Sequence, residues 1–203
     1  MRGLLTRFVG VGLLVVVALS WFAPGSVDSL FAINLGETRE VARPLHEGTE
    51  WAKYLAPEGT CRGDGEIEGA AREQIFAMRC LLDWARRERG LPPLRMEHRL
   101  NRSSALKAAA IVRCNEFSHT PCGTAFSGTF TAVGWQRGSG ENIAWGASVA
   151  RSPRLLVDGW LHSDGHRKNL FRTDWRVQGL ALLPADSFQG ERQASIWVHQ
   201  FGA

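Results

Sequence analysis

The sequence lacks the signatures of several common chemistries. No G-x-S-x-G elbow is present, so nothing marks a serine nucleophile. His162 and His166 are four residues apart, but no glutamate follows His162 and Gly165 breaks the helix, so the H-E-x-x-H zinc motif is absent. The cysteines do not come as C-x-x-C pairs, which argues against a zinc ribbon. No stripe of interleaved aromatic and basic residues points to nucleic acid. There are no internal repeats and no low-complexity tracts.

What is present points out of the cytoplasm. Arg2 and Arg7 lead into an apolar run from Phe8 to Leu19, so residues 1–23 read as a targeting segment. The run is short for a membrane span of about 20 residues and only just qualifies when extended through Ala23. Ala18 and Ser20 suit a signal-peptidase site; the rival is an uncleaved N-terminal membrane anchor with its positive end inside. Either way the expected location is secreted, extracellular or periplasmic. The remaining length suits one domain with a single core. Four cysteines suggest two disulfides with three connectivities. Cys114 and Cys122 are close and bracket His119, so we pair them and leave Cys61 with Cys80; free buried thiols are the bland alternative. Net charge is +4, yet Glu88 and Glu97 interleave the arginines from Arg86 to Arg102, which reads as an ordinary solvated surface.

Residues 24–65 are rich in Gly, Pro and charge and read as a linker or loosely packed extension tied down at Cys61. From Glu66 to Arg89 the pattern is helical: Ala71, Ile75, Met78, Leu82 and Ala85 share a face, and Gly90 stops the helix. A second helix runs from about His98 to Phe117, with Leu100, Ser104, Ala108 and Ile111 on one face and Leu106, Ala110 and Phe117 on another. Glycines make Pro121 to Gly140 a loop region, and Asn142 to Gly146 suits a short strand. Ser152-Pro153 starts a third helix carrying Trp160. Two strands follow, Val177 to Leu183 and Ala194 to Phe201, with Asp186 to Arg192 as a hairpin-like connection. In the last strand Ile196, Val198 and Gln200 face one side, and Trp197, His199 and Phe201 the other. Helices first and strands last imply an α+β fold.

The chemistry-bearing residues gather in three stretches: Phe117-Ser118-His119-Thr120-Pro121, Gly140-Glu141-Asn142-Ile143-Ala144, and Trp160 to Leu170, WLHSDGHRKNL. His166 falls at a helix N-terminus, where the dipole favours a neutral imidazole or a bound anion. Glu141 enters an apolar strand and is costly to bury without a cationic or metal partner. Each residue alone has a plain reading: a loop histidine, a carboxylate accepting backbone N–H groups, a strand histidine at His199.

Together, RGLPPL (Arg89 to Leu94), FSHTP, GENIAWG, WLHSDGHRKNL, the strand with Gly179, and WVHQFG resemble the CAP superfamily of cysteine-rich secretory, antigen 5 and pathogenesis-related proteins, including its bacterial SCP-like exported members. The resemblance spans about Arg72 to Gly202 and implies a CAP domain over 66–203 with a three-layer α-β-α sandwich. It also implies a cleft lined by His119, Glu141 and His166 that can hold a divalent metal such as zinc. The family's second glutamate falls near Ser163 and is missing here. Asp164 stands beside that position with capping as its plainer role, and His162 is off-pattern, supplementing the site or pointing away. Trp145 and Trp160 are the expected cleft aromatics. No catalytic residue is assigned.

The leading expectation is a binding module for a lipid-like or cell-envelope ligand, monomeric and without nucleic acid as partner. The alternatives are a structural envelope domain whose His-Glu-His set only braces the core, and a metal-dependent hydrolase.

Overall fold

The structure, a computed structural model, describes His46 and residues 48–203. The apolar segment expected to export or anchor the chain lies outside the described residues. Among the described residues no helix is long and apolar enough to cross a membrane.

The first long helix, α1 (Ala71–Glu88), turns its apolar side inward through Ala77, Met78, Leu81, Leu82 and Ala85. Met78, Leu82 and Ala85 are as expected, whereas Ala71 is exposed, because the buried stripe is centred one position round the helix. Gly90 ends the helix at φ 74°, with Leu91 N–H donating back to the Arg86 carbonyl at 2.8 Å. A two-residue strand, β1 (Arg95–Met96), leads into α2 (His98–Cys114). The α2 helix stops short of the expected Phe117 because Asn115 is left-handed, at φ 48°. Its buried face carries Leu100, Ser104, Ala108 and Ile111 as expected, while Leu106 and Phe117 are exposed.

A short helix, α3 (Gly128–Ala132), interrupts the expected loop region. Then come β2 (Ser139–Ala147), α4 (Pro153–His162), α5 (Asp164–Leu170), β3 (Val177–Phe188) and β4 (Glu191–Gly202). Ser152 caps α4, its hydroxyl accepting from Leu155 N–H at 3.5 Å. β3 and β4 run through most of the stretch expected as a connection. Gln189 and Gly190, at φ 51° and 86°, turn the chain in two residues, so the strands need no longer link.

The sheet order is β1-β3-β4-β2, with β1 parallel to β3 and the other pairs antiparallel. The α2 helix covers one face, where Ala108 and Ile111 meet Ile143, Ile196 and Val198. The other face carries Trp197 and Phe201 against α1, α4 and α5. This is the expected α-β-α sandwich.

The described part of the 24–65 stretch is not loose. Tyr54, Leu55, Ala56 and Cys61 are buried in the main core. Arg154 on α4 donates to the Ala56 carbonyl at 2.9 Å and pairs with Asp64 at 2.6 Å. Gly and Pro signalled irregular backbone correctly, but irregular backbone can still pack. Both expected disulfides are present, Cys61–Cys80 and Cys114–Cys122.

Candidate functional site

Glu141 sits on β2, one of the two edge strands of the sheet, and shares the α2 side with Ile143. Its neighbour Gly140 has no room for a side chain: a Cβ there would lie 2.8 Å from the Trp175 ring. In register, Glu141 stands opposite Gln200 of β4, whose amide donates to Oε2 at 2.7 Å. The other oxygen, Oε1, lies 2.8 Å from His119 Nδ1 and 3.7 Å from Lys107 Nζ. Both the lysine and the carboxylate side chains are fully buried. The cationic partner that a buried carboxylate requires is therefore Lys107, supported by His119.

Lys107 also positions the histidine. Its ammonium group donates to the backbone carbonyl of His119. That residue lies in the loop closed by Cys114–Cys122, where the Ser118 hydroxyl accepts from Thr120 N–H at 3.0 Å. With a carboxylate accepting from Nδ1, the ring holds its hydrogen there and presents Nε2 outward. The His119 side chain is 47% exposed and meets Phe126 edge-on at 6.2 Å. Phe126 is itself partly exposed and lies under the Lys107 ammonium at 5.6 Å.

His166 comes from α5, on the opposite layer. α5 is stitched to β2: Asn142 donates to the His166 carbonyl at 3.1 Å, and Asn169 donates to the Glu141 carbonyl at 3.1 Å. These bonds also cover an edge strand that would otherwise present open backbone groups. His166 Nδ1 is 2.9 Å from the Ser163 hydroxyl. Its pKa is lowered, first by burial and then by the nearby His119, so the imidazole is kept neutral. The two histidines thus approach from the two layers around one sheet edge. His119 and Glu141 are in direct contact, His166 bonds to Ser163, and among the described residues both Nε2 atoms take no protein hydrogen bond.

Other expected residues fall elsewhere. Trp160 is 2% exposed, its indole N–H is spent on the Ile143 carbonyl at 3.2 Å, and its ring lies behind that of His166 at 6.3 Å. Its place on the apolar stripe of α4 puts it in the core. Trp145 packs edge-on against Phe188 at 5.3 Å, in the cluster under α2. His162 does not supplement the cleft, because the helix break at Ser163 separates it from His166; its bonds go to Asp158 and Thr49. Asp164 is exposed and pairs with Arg167 at the start of α5.

Lys107, Gln200 and Phe126 were not singled out as site residues. Lys107 carried a signal: it lies on the buried stripe of α2 between Ser104 and Ile111, where a lysine without an acidic partner would be untenable. Gln200 carried a weaker one, a polar residue alternating with Ile196 and Val198.

The chain is 30% identical over 118 residues to the uncharacterized protein YkwD of Bacillus subtilis (strain 168), a match covering 57% of this chain and 42% of that one. It thus spans less than half the length of this curated relative. Among solved structures, an outer surface protein of Borrelia burgdorferi superposes with a TM-score of 0.56 at 21% identity, covering 66% of this chain and 95% of that one. An extracellular protein containing an SCP domain from Bacillus anthracis str. Ames gives a TM-score of 0.52 at 19% identity, covering 66% of this chain and 44% of that one. At these identities the two structures speak for the fold alone. The family match runs over residues 81–201, from α1 to the end of β4, and takes in His119, Glu141 and His166. With this match over more than half its length and the sandwich described above, the chain belongs to the cysteine-rich secretory protein, or CAP, family.

Proposed function

We propose that this chain is an exported binding module of the cell envelope or exterior, and that the cleft beside His119 takes a lipid-like or envelope ligand. One observation carries the reading: exposed His119 and Phe126 stand side by side over a buried Lys107–Glu141–Gln200 set. An imidazole next to an aromatic face suits an amphiphile, whose head and tail ask for different neighbours. The same set speaks against hydrolysis. Both oxygens of Glu141 are engaged, so the carboxylate orients His119 rather than serving as a base toward a substrate. Two disulfides suit an oxidising compartment, and two relatives are described as extracellular and outer-surface proteins.

The family resemblance also implies a divalent metal, and the side chains fit one in a restricted way. His119 and His166 would hold it through Nε2, with Glu141 and Ser163 steadying the rings from behind. The Lys107 ammonium, 3.7 Å from Oε1, opposes a direct metal bond from Glu141. A bound metal would supply a Lewis acid that anchors an anionic headgroup. In this reading Ser163→Glu tightens zinc binding, because a carboxylate behind His166 makes it a stronger ligand.

The test is a lipid-extraction pulldown. The purified protein is incubated with vesicles made from a total envelope lipid extract, recovered, and its bound lipid measured by mass spectrometry. Retained lipid that drops at least about tenfold in both His119→Ala and Phe126→Ser supports the reading, a tenfold loss being ~1.4 kcal/mol. No retained lipid, or equal retention in the variants, removes it. Metal-dependent ester hydrolysis by the same preparation would favour the hydrolase instead.

A further inference from the structure

Outside the cleft, a second set of ligand-type side chains meets where the N-terminal stretch crosses α4. His46, Asp158 and His162 each offer one ligand atom, and these atoms lie within 4.8 Å of one another. Asp158 and His162 are one turn apart on α4. The Asp158 side chain is fully buried; its Oδ2 lies 2.9 Å from His46 Nδ1 and its Oδ1 3.3 Å from His162 Nδ1. The two imidazoles stack at 4.0 Å with planes 15° apart.

The set is held by more than one element around a buried carboxylate. The Thr49 hydroxyl lies 3.1 Å from the His46 carbonyl and 2.5 Å from His162 Nε2, so it ties the turn at His46 to the outer side of the His162 ring. Nδ1 of both rings is on the Asp158 side: that of His46 is 2.9 Å from Oδ2, and that of His162 is 3.3 Å from Oδ1 and 2.8 Å from the Asp158 carbonyl. Two imidazoles and a carboxylate gathered this way match the donor types that a divalent ion of the zinc class takes.

We propose that His46, Asp158 and His162 form a divalent-metal site of the zinc class, distinct from the cleft, which pins the N-terminal stretch to α4. Two nitrogens and one carboxylate oxygen are a usual zinc set, with water free to take the fourth place. With one atom from each residue, the three ligand atoms lie within 4.8 Å of one another, and a small side-chain adjustment brings them to the ~3.4 Å edge of a tetrahedron built on ~2.1 Å bonds. Thr49 holds His162 by its other nitrogen, the outer contact that metal-bound histidines commonly make.

The experiment uses the full chain in mild detergent, with His119→Ala and His166→Ala introduced together to silence the cleft. Zinc(II) is titrated against a chromophoric chelator, and cobalt(II) is followed by its visible absorption. The expected result is one zinc per chain in this background, with cobalt bands of four- or five-coordinate intensity. His46→Ala and His162→Ala should each weaken zinc at least about 100-fold, more than losing an outer contact alone would. Asp158 is buried and its replacement puts the fold at risk; His46 is partly exposed, so His46→Ala keeps the question on a folded chain. Zinc lost entirely in the silenced background belongs to the cleft and overturns the proposal. Binding that persists unchanged in His46→Ala and His162→Ala overturns it as well.

Discussion

Replacing Lys107 with methionine keeps the length of the side chain and removes its charge, leaving Glu141 buried with His119 and Gln200 as its remaining partners. Breaking a buried ion pair costs about 3–5 kcal/mol, and the two survivors place this case near 3 kcal/mol. Urea unfolding of Lys107→Met should show that loss, and adding Glu141→Gln should restore part of it. His199 gives a prediction in pH. It is fully buried, its Nε2 lies 2.9 Å from Gln178 Oε1, and burial, with a further push from Arg86, lowers its pKa from 6.5 to about 3. The folded ring stays neutral while the unfolded ring takes a proton below about pH 6.5, so acid favours unfolding. Its contribution is fully present above that pH and is lost as pH falls toward 3, by up to ~1.4 kcal/mol per unit. Burial shifts His166 the same way. Urea midpoints should therefore fall between pH 7 and pH 5, and less steeply in His199→Phe. At this scale His119, Glu141 and His166 were legible because each sits in a short stretch with its own pattern. Lys107 was not, because its partner lies across the sheet and only the register of β2 and β4 against α2 brings the charges together.

Among the elements, α2 approaches β3 more closely than any side chain at Gly179 would allow. A Cβ there would lie 2.2 Å from the backbone carbonyl carbon of Leu100. Gly179→Ala must push α2 off the sheet, and overpacking of this kind costs about 1–3 kcal/mol, here at the upper end because backbone has to move. Gly159, exposed on α4 with nothing within 4 Å of where a Cβ would stand, is the control. Gly159→Ala should be neutral or stabilise by up to ~1 kcal/mol through helix propensity. Thermal melts of the two variants should move in opposite directions or differ by several degrees. The long elements were legible for the same reason that they are stable: α1 and α2 each carry an apolar stripe over several turns. The five residues of α3 and the seven of α5 are too few to show a period: α3 reads as loop, and α5 was legible only through the Ser163-Asp164-Gly165 break that starts a new helix at about His166. The hairpin was found but shortened, since Asp186 to Arg192 is polar. Edge exposure explains the polarity: the strand ends run past the helices that cover the rest of the sheet.

For the molecule as a whole, Cys61–Cys80 fastens the Trp51 to Cys61 stretch onto α1 across a sequence separation of 19. Closing a loop of that size is worth about 3 kcal/mol. Changing both cysteines to serine should lower the melting temperature and let trypsin reach Lys53 and Arg62 sooner than in the parent chain. The sequence showed the pairing through the spacing of its cysteines, but it did not show that the stretch before Cys61 is core, because Tyr54, Leu55 and Ala56 are too short a run to display periodicity. The order of strands has a consequence for assembly in time. Every strand pairing in the sheet includes β3 or β4, and these two pair with each other through a two-residue turn. β1 must wait for Val177, and β2 must wait for the residues from Ala194 to Gly202. A chain that emerges N-terminus first can form α1 and α2 early, yet it has no complete sheet for them to cover until β4 (Glu191–Gly202) is free. Formation of the sheet is thereby deferred until β4 has emerged, whatever the helices do before then. Pulse-labelling hydrogen exchange during refolding should find the β3–β4 amides protected before those between β2 and β4.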